Sequence, residues 1–287
     1  SKTMENCHFK IKNLKARPVL VPFRYKPTTA SATINDAAMV LIDLETTEGI
    51  VGRSYLFVYS KIMLKPTVAC LEGINELLSG QPVVPIEIDR YLRQCFKMHN
   101  TGGILGQALS GIDMACWGAD TQYLNQPLSR ALGGQTKPIQ AYNSCGLFIQ
   151  DPETIAEEAC ELISEGNFNA IKVRVGRPNI RDDIRAIQNI KDGVGENITL
   201  MCDFNQSLSV NEAIARCRAL DYEGLYWIED PIRHDDYEGC AKVSAEISTP
   251  LQVGENLINT YEMQKAIKFQ LGMQKRGYTT SMQRVPI

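Results

Sequence analysis

Residues 8–24 (HFKIKNLKARPVLVPFR) and 36–47 (DAAMVLIDLETT) are rich in apolar and β-branched positions, and they predict two strands. Gly49 and Gly52 mark a turn into a third, GRSYLFVYS. Helical spacing follows over roughly 61–79, 86–97 and 104–123. The last of these, GILGQALSGIDMACWGADTQ, carries small residues suited to close packing. A short helix near 126–132 stops at Gly133–Gly134. Together these elements predict an α+β domain over residues 1–135.

The pattern then changes. Five short apolar runs, at 139–145, 170–176, 198–205, 225–230 and 251–256, are each followed by an amphipathic stretch. Near-continuous apolar strands joined by helices predict a parallel sheet covered by helices. Lys172, Asp203, Glu229 and Glu255 recur at intervals of 31, 26 and 26 positions. A regular βα repeat favours a TIM-type barrel, in which every strand end reaches one mouth. A doubly wound sheet is the alternative, and no Gly-rich phosphate turn supports it. The expected fold class is therefore α/β: barrel units one to five over 136–270, preceded by the α+β domain. From 139 to 287 there are 149 residues, against roughly 250 for a full barrel. An incomplete barrel is expected, with an atypical, basic and polar tail at 271–287.

Composition narrows the class. The chain has 287 residues, 44% hydrophobic and 22% charged, with a net charge of −3. Nucleic-acid or anionic-membrane partners are not expected from that charge, nor is a membrane span. Nine cysteines lie scattered without a CxxC pair, and several sit in apolar runs. They predict reduced thiols in a cytoplasmic protein rather than disulfides or a zinc site.

The ends of barrel strands are where chemistry is expected. The third run ends Cys-Asp203-Phe-Asn205, the fourth Trp-Ile-Glu229-Asp230, the fifth Val-Gly-Glu255-Asn256. Three converging carboxylates repel strongly unless a cation sits among them. An all-oxygen set with open positions suits Mg²⁺, with Mn²⁺ possible. Helix capping is the alternative for Asp203 and Asp230. The second run ends Lys172-Val173-Arg174, and alternation puts both cations on one side. They are either interior ion-pair partners for the acids or a catalytic pair. In the latter case a lysine beside another cation has a lowered pKa and can act as a base, whereas a guanidinium is a poor base. Ser144, ending the first run, is a turn residue or a donor to a substrate carboxylate. His8 and His99 are expected to be surface or structural, and His234 to lie at a helix start.

The blocks DFNQSL (203–208), WIEDP (227–231), HDDYEG (234–239) and VGEN (253–256) resemble the enolase superfamily, as do VLIDLETTEGIVGRSYLF (40–57) and GIDMACWGAD (111–120). The resemblance is to the mandelate racemase branch of the mandelate racemase / muconate lactonizing enzyme family, over about residues 8–270. It implies a capping domain whose loops, here 25–35 and the segment around Tyr55, close over the barrel mouth and contact substrate. It implies that Asp203, Glu229 and Glu255 hold Mg²⁺, that Asn205 and Ser144 meet the substrate, and that Lys172 is the first lysine of a Lys-x-Lys motif. The implied reaction removes a proton α to the carboxylate of a 2-hydroxy acid or sugar acid, as a racemase or dehydratase. Arg174 stands where the second lysine belongs, which disfavours two-base racemisation. The resemblance stops near Gln270, before the opposite His–Asp base, so a truncated member that only binds metal is the alternative. Exposed sheet edges further predict pairing with another chain, aggregation or a poorly ordered C-terminus, and a homo-oligomer is expected.

Overall fold

A computed structural model describes residues 9–269 and the backbone of 283–284. The chain divides into two compact units: residues through Phe23 with Ile34–Lys137, and Arg24–Thr33 with the residues from Pro138 onward.

The first unit is an antiparallel meander of β1 (Ile11–Pro22), β2 (Asp36–Thr46) and β3 (Val51–Phe57). Along β2, Ala38, Val40, Ile42 and Leu44 are fully buried while the residues between them are half-buried. That period of two places one face under helices and leaves the other open. Behind a 3-10 turn (Lys61–Met63) come α1 (Leu64–Leu78), α2 (Pro85–Cys95), α3 (Gly103–Tyr123) and the single turn α4 (Leu128–Ala131). Two glycines let α3 approach the sheet. A Cβ on Gly52 would lie 1.9 Å from the Ala115 carbonyl oxygen, and one on Gly111 would lie 2.5 Å from Ile42 Cδ1.

The second unit alternates β4 (Ala141–Tyr142), α5 (Ile155–Ser164), β5 (Ala170–Arg174), α6 (Ile180–Val194), β6 (Thr199–Asp203), α7 (Val210–Leu220), β7 (Ile228–Glu229), α8 (Tyr237–Ala245), β8 (Leu251–Gln252) and α9 (Thr260–Lys268). Strands β5–β6–β7–β8 are parallel neighbours in that order, and Asn143 bridges to Ile171 beside β4. A two-residue strand, β9 (Gln283–Arg284), pairs in parallel with β4. It falls within 271–287, where no strand–helix pattern is expected from sequence. The rest of that stretch, like His8 and Cys7, lies outside the described residues.

Ile171, Val173 and Val175 pack outward against Ile155, Ala186, Ile187 and Ile190. Alternation then turns Lys172 and Arg174 inward, above a small apolar layer of Tyr142, Ala170, Met201 and Trp227. The eight described cysteines are free. Among the described residues, no helix is long and apolar enough to cross a membrane.

Candidate metal and catalytic centre

The parallel ladder sets the level of each functional side chain. Arg174 pairs with Asp203, Asp203 with Glu229, and Glu229 with Gln252. Three successive strands therefore end at one height, with Arg174, Asp203 and Glu229 abreast.

Lys172, one layer below, is 1% exposed. Its Nζ lies 2.9 Å from Asp203 Oδ2 and 2.7 Å from Glu229 Oε1. The other oxygens are also engaged. Asn205 N–H donates to Asp203 Oδ1 (2.8 Å), and Trp227 Nε1 donates to Glu229 Oε2 (3.0 Å). Burial disfavours the Lys172 charge, but Asp203 and Glu229 outweigh both burial and the weaker repulsion from Arg174, so its ammonium is held above the usual lysine range. The lowered pKa expected for Lys172 beside Arg174 is not found, because two carboxylates touch the amine and the guanidinium does not.

The Arg174 guanidinium is occupied elsewhere. It donates to the carbonyls of Ser144 (2.9 Å) and Gly146 (3.0 Å) and to Ser144 Oγ (3.0 Å), and it lies 4.8 Å from the centroid of the Phe148 ring. Arg174 thus fastens the turn after β4 and orients the buried Ser144 hydroxyl.

Neither Asp203 nor Asp230 caps a helix. Asn179, Ser209, Asp236 and Asn259 cap α6, α7, α8 and α9. Asp230 is instead 1% exposed, takes a left-handed φ of 38°, and neither carboxylate oxygen has a hydrogen-bond partner. Burial pushes its carboxyl up to about 8, with Asp203, Glu255 and Glu229 adding to the shift. Burial raises Glu229 as well, partly offset by Lys172. Asp203, Glu229 and Asp230 form a buried acidic cluster with Lys172 among them.

Glu255 departs from the expected register. Strand β8 ends at Gln252, and the chain passes through Gly254 (φ 148°) before an exposed Glu255. Among the described residues, no three His, Cys, Asp or Glu side chains are gathered as a metal-holding group. Lys172 takes the nearest oxygens of Asp203 and Glu229, and Glu255 stands three residues past its strand. The donor chemistry nonetheless fits a hard divalent cation. The set is all carboxylate, and the buried Asp230 oxygens beside it are unpartnered.

The remaining candidates lie as follows. Asn205 (φ 49°) and Gln206 (φ 65°) form the turn after β6 in left-handed conformations. The Asn205 Oδ1 is buried without a partner. His234 precedes the α8 cap, with Nδ1 3.0 Å from Gln206 Oε1. His99 packs edge-on against Phe96. Tyr55, 47% exposed, is on β3 of the first unit, opposite Leu41. Residues 25–35, expected to close over the barrel mouth, bond at Thr28, whose carbonyl accepts from Ile149 N (2.8 Å), and at Ser31, whose hydroxyl donates to the Asn205 carbonyl. Sequence reasoning missed Asp230 as a member of the cluster; its place directly after Glu229 in a positive-φ Glu-Asp-Pro turn was the available signal.

Comparison with known proteins places this geometry. Residues 12–133 match the N-terminal domain of the mandelate racemase / muconate lactonizing enzyme family, and residues 154–272 match the enolase C-terminal domain-like family. An enolase from the alphaproteobacterium BAL199, crystallised with magnesium, is 39% identical. It superposes with a TM-score of 0.87 over 91% of this chain and 73% of its own. A Bradyrhizobium enolase complexed with magnesium and mandelic acid is 33% identical, with a TM-score of 0.85 over 92% and 73% of the two chains. L-talarate/galactarate dehydratase of Salmonella typhimurium is 30% identical over 85% of this chain, which spans 60% of that enzyme's length. Other relatives include an N-succinyl-L-Arg/Lys racemase and an L-Ala-D/L-Glu epimerase. The chain belongs to the enolase superfamily, in its mandelate racemase / muconate lactonizing enzyme family.

Proposed function

We propose that this chain serves Mg²⁺-assisted removal of the proton α to a carboxylate, with a 2-hydroxy acid or sugar acid as substrate. The observation that carries the reading is the Lys172 ammonium held between Asp203 and Glu229 at strand ends in register. Asp203, Glu229 and Glu255 are the residues that would hold Mg²⁺ or Mn²⁺. When bound, the metal supplies Lewis-acid stabilisation of the negative charge that develops on the substrate carboxylate. Lys172, once it carries the proton, sets a positive charge where that charge grows, in a desolvated site where it counts for more than in water. The Ser144 hydroxyl, which accepts from Arg174, is the group we assign to a substrate carboxylate oxygen.

Arg174 is spent on carbonyls and, as a guanidinium, is a poor base. Strand β5 therefore offers at most one base, Lys172, which would take the α-proton once a divalent cation draws off its two carboxylate partners, and the arrangement favours one-base elimination of water over two-base racemisation. The same observation supports a second reading, in which the chain binds metal without turnover. One experiment separates the two. The parent chain and Asp203→Asn are incubated in D₂O with Mg²⁺ and a panel of 2-hydroxy acids and acid sugars, and the α-position is followed by NMR. The expected result is α-proton exchange or water loss in the parent, slowed roughly 10²-fold or more in the variant. Metal binding without exchange selects the second reading; equal rates in parent and variant overturn the first.

A further inference from the structure

The most heavily bonded polar cluster outside the strand-end acids surrounds Asp183, in the first turn of α6. Its side chain is fully buried. Oδ2 accepts from Gly176 N (2.9 Å) and Oδ1 from Arg177 N (3.2 Å) and Arg177 Nη1 (2.9 Å). Arg216, on α7, reaches Oδ2 at 3.4 Å and also donates to the carbonyls of Arg177 and Pro178. Arg177 in turn donates through Nε (3.1 Å) and Nη2 (3.0 Å) to the Gln150 carbonyl, in the turn after β4. One guanidinium thus locks the turn after β5 to the turn after β4, and one carboxylate locks that guanidinium. A buried carboxylate with four donors is a rigid post, since losing any partner leaves charge uncompensated.

What the post supports is the segment 28–32. Gly176 takes φ +113°, and a Cβ there would lie 2.5 Å from the Ala30 Cβ. Ile149, next to Gln150, donates its N–H to the Thr28 carbonyl. Ser31 reaches the Asn205 carbonyl in the turn after β6. The segment therefore rests on the turns after three successive strands, two of which Arg177 joins directly.

We propose that Arg177, fixed by Asp183, is a positioning residue that sets where residues 28–32 seat across the ends of β4, β5 and β6, and so sets the opening to the acids at those ends. The inference rests on the reading above only in taking those ends as the reactive face. Its test is hydrogen exchange on the full chain, without metal or substrate, so it succeeds or fails apart from that reading. Arg177→Met is expected to speed exchange of the Ile149 amide and of 29–32 at least tenfold, with β1–β3 unchanged. Arg177→Lys, which keeps a positive charge beside Asp183 but cannot reproduce the two bonds to the Gln150 carbonyl, is expected to release the same amides while α6 and α7 stay protected, a split that general destabilisation would not produce. No acceleration in Arg177→Met, or a uniform acceleration through the second unit in both variants, would overturn the proposal.

Discussion

On the open face of the first unit, Arg17 and Arg53 flank Asp43 at 3.2 and 3.6 Å, with both guanidinium side chains more than three-fifths exposed. At the ends of β5–β7, Lys172 sits between Asp203 and Glu229 at similar distances with none of the three side chains more than 8% exposed. The stoichiometries mirror each other, two cations on one acid against one cation on two acids. Water decides what each does. On the sheet the charges are screened, and their pairing adds little beyond solvation. At the strand ends the same chemistry leaves a net negative, desolvated cluster that a divalent cation and an anionic substrate's carboxylate chemistry can use.

The largest expected effect breaks this comparison at Lys172. Lys172→Met leaves two buried carboxylates facing each other and should cost roughly 3–5 kcal/mol, measured by urea unfolding in chelator. A loss below about 1 kcal/mol would put the buried cluster on a par with a surface pair. A smaller effect sharpens the comparison at Asp230. Its carboxyl, at 3.8 when unfolded, rises to about 8 when folded. Between those values the folded chain keeps a proton that the unfolded chain has lost, so stability should fall as pH rises through that window. Asp230→Asn should flatten this slope and stabilise the chain at the alkaline end by an amount on the order of a few kcal/mol. An unchanged slope in denaturant melts across pH would contradict the buried, unpartnered placement. The smallest effect lies on the sheet: Arg17→Met should change stability by roughly 0–1 kcal/mol, less in high salt, and a larger loss would mean the surface pairs are not screened.

Much of this contrast was legible in the sequence. The short runs 170–176 and 198–205 read as neighbouring strands, and the alternation of Lys172 and Arg174 with Ile171, Val173 and Val175 puts both cations on the inward side, where Lys172 meets Asp203 and Glu229. The interior ion-pair alternative for Lys172 could be named from alternation alone. What Arg174 bonds could not, because its partners are main-chain carbonyls, which carry no side-chain signature. The register of Glu255 was also hidden. VGEN reads as a strand end, yet Gly254 turns the chain after β8 has stopped at Gln252. Likewise RPNIRDD reads as a helix start rich in charge, and only the fold shows that Asp183 and Arg216, 33 residues apart, converge on one turn. Local pattern fixes which face a side chain takes; contacts across dozens of residues decide what it does there.

The central claim is that the strand-end acids form a divalent-metal site despite the lysine among them. Calorimetric titration of Mg²⁺ into the parent chain and into Glu229→Gln at one pH tests it most directly. Saturable binding is expected in the parent, with an affinity at least tenfold weaker in the variant. Equal binding in both chains, or none in the parent, would contradict it.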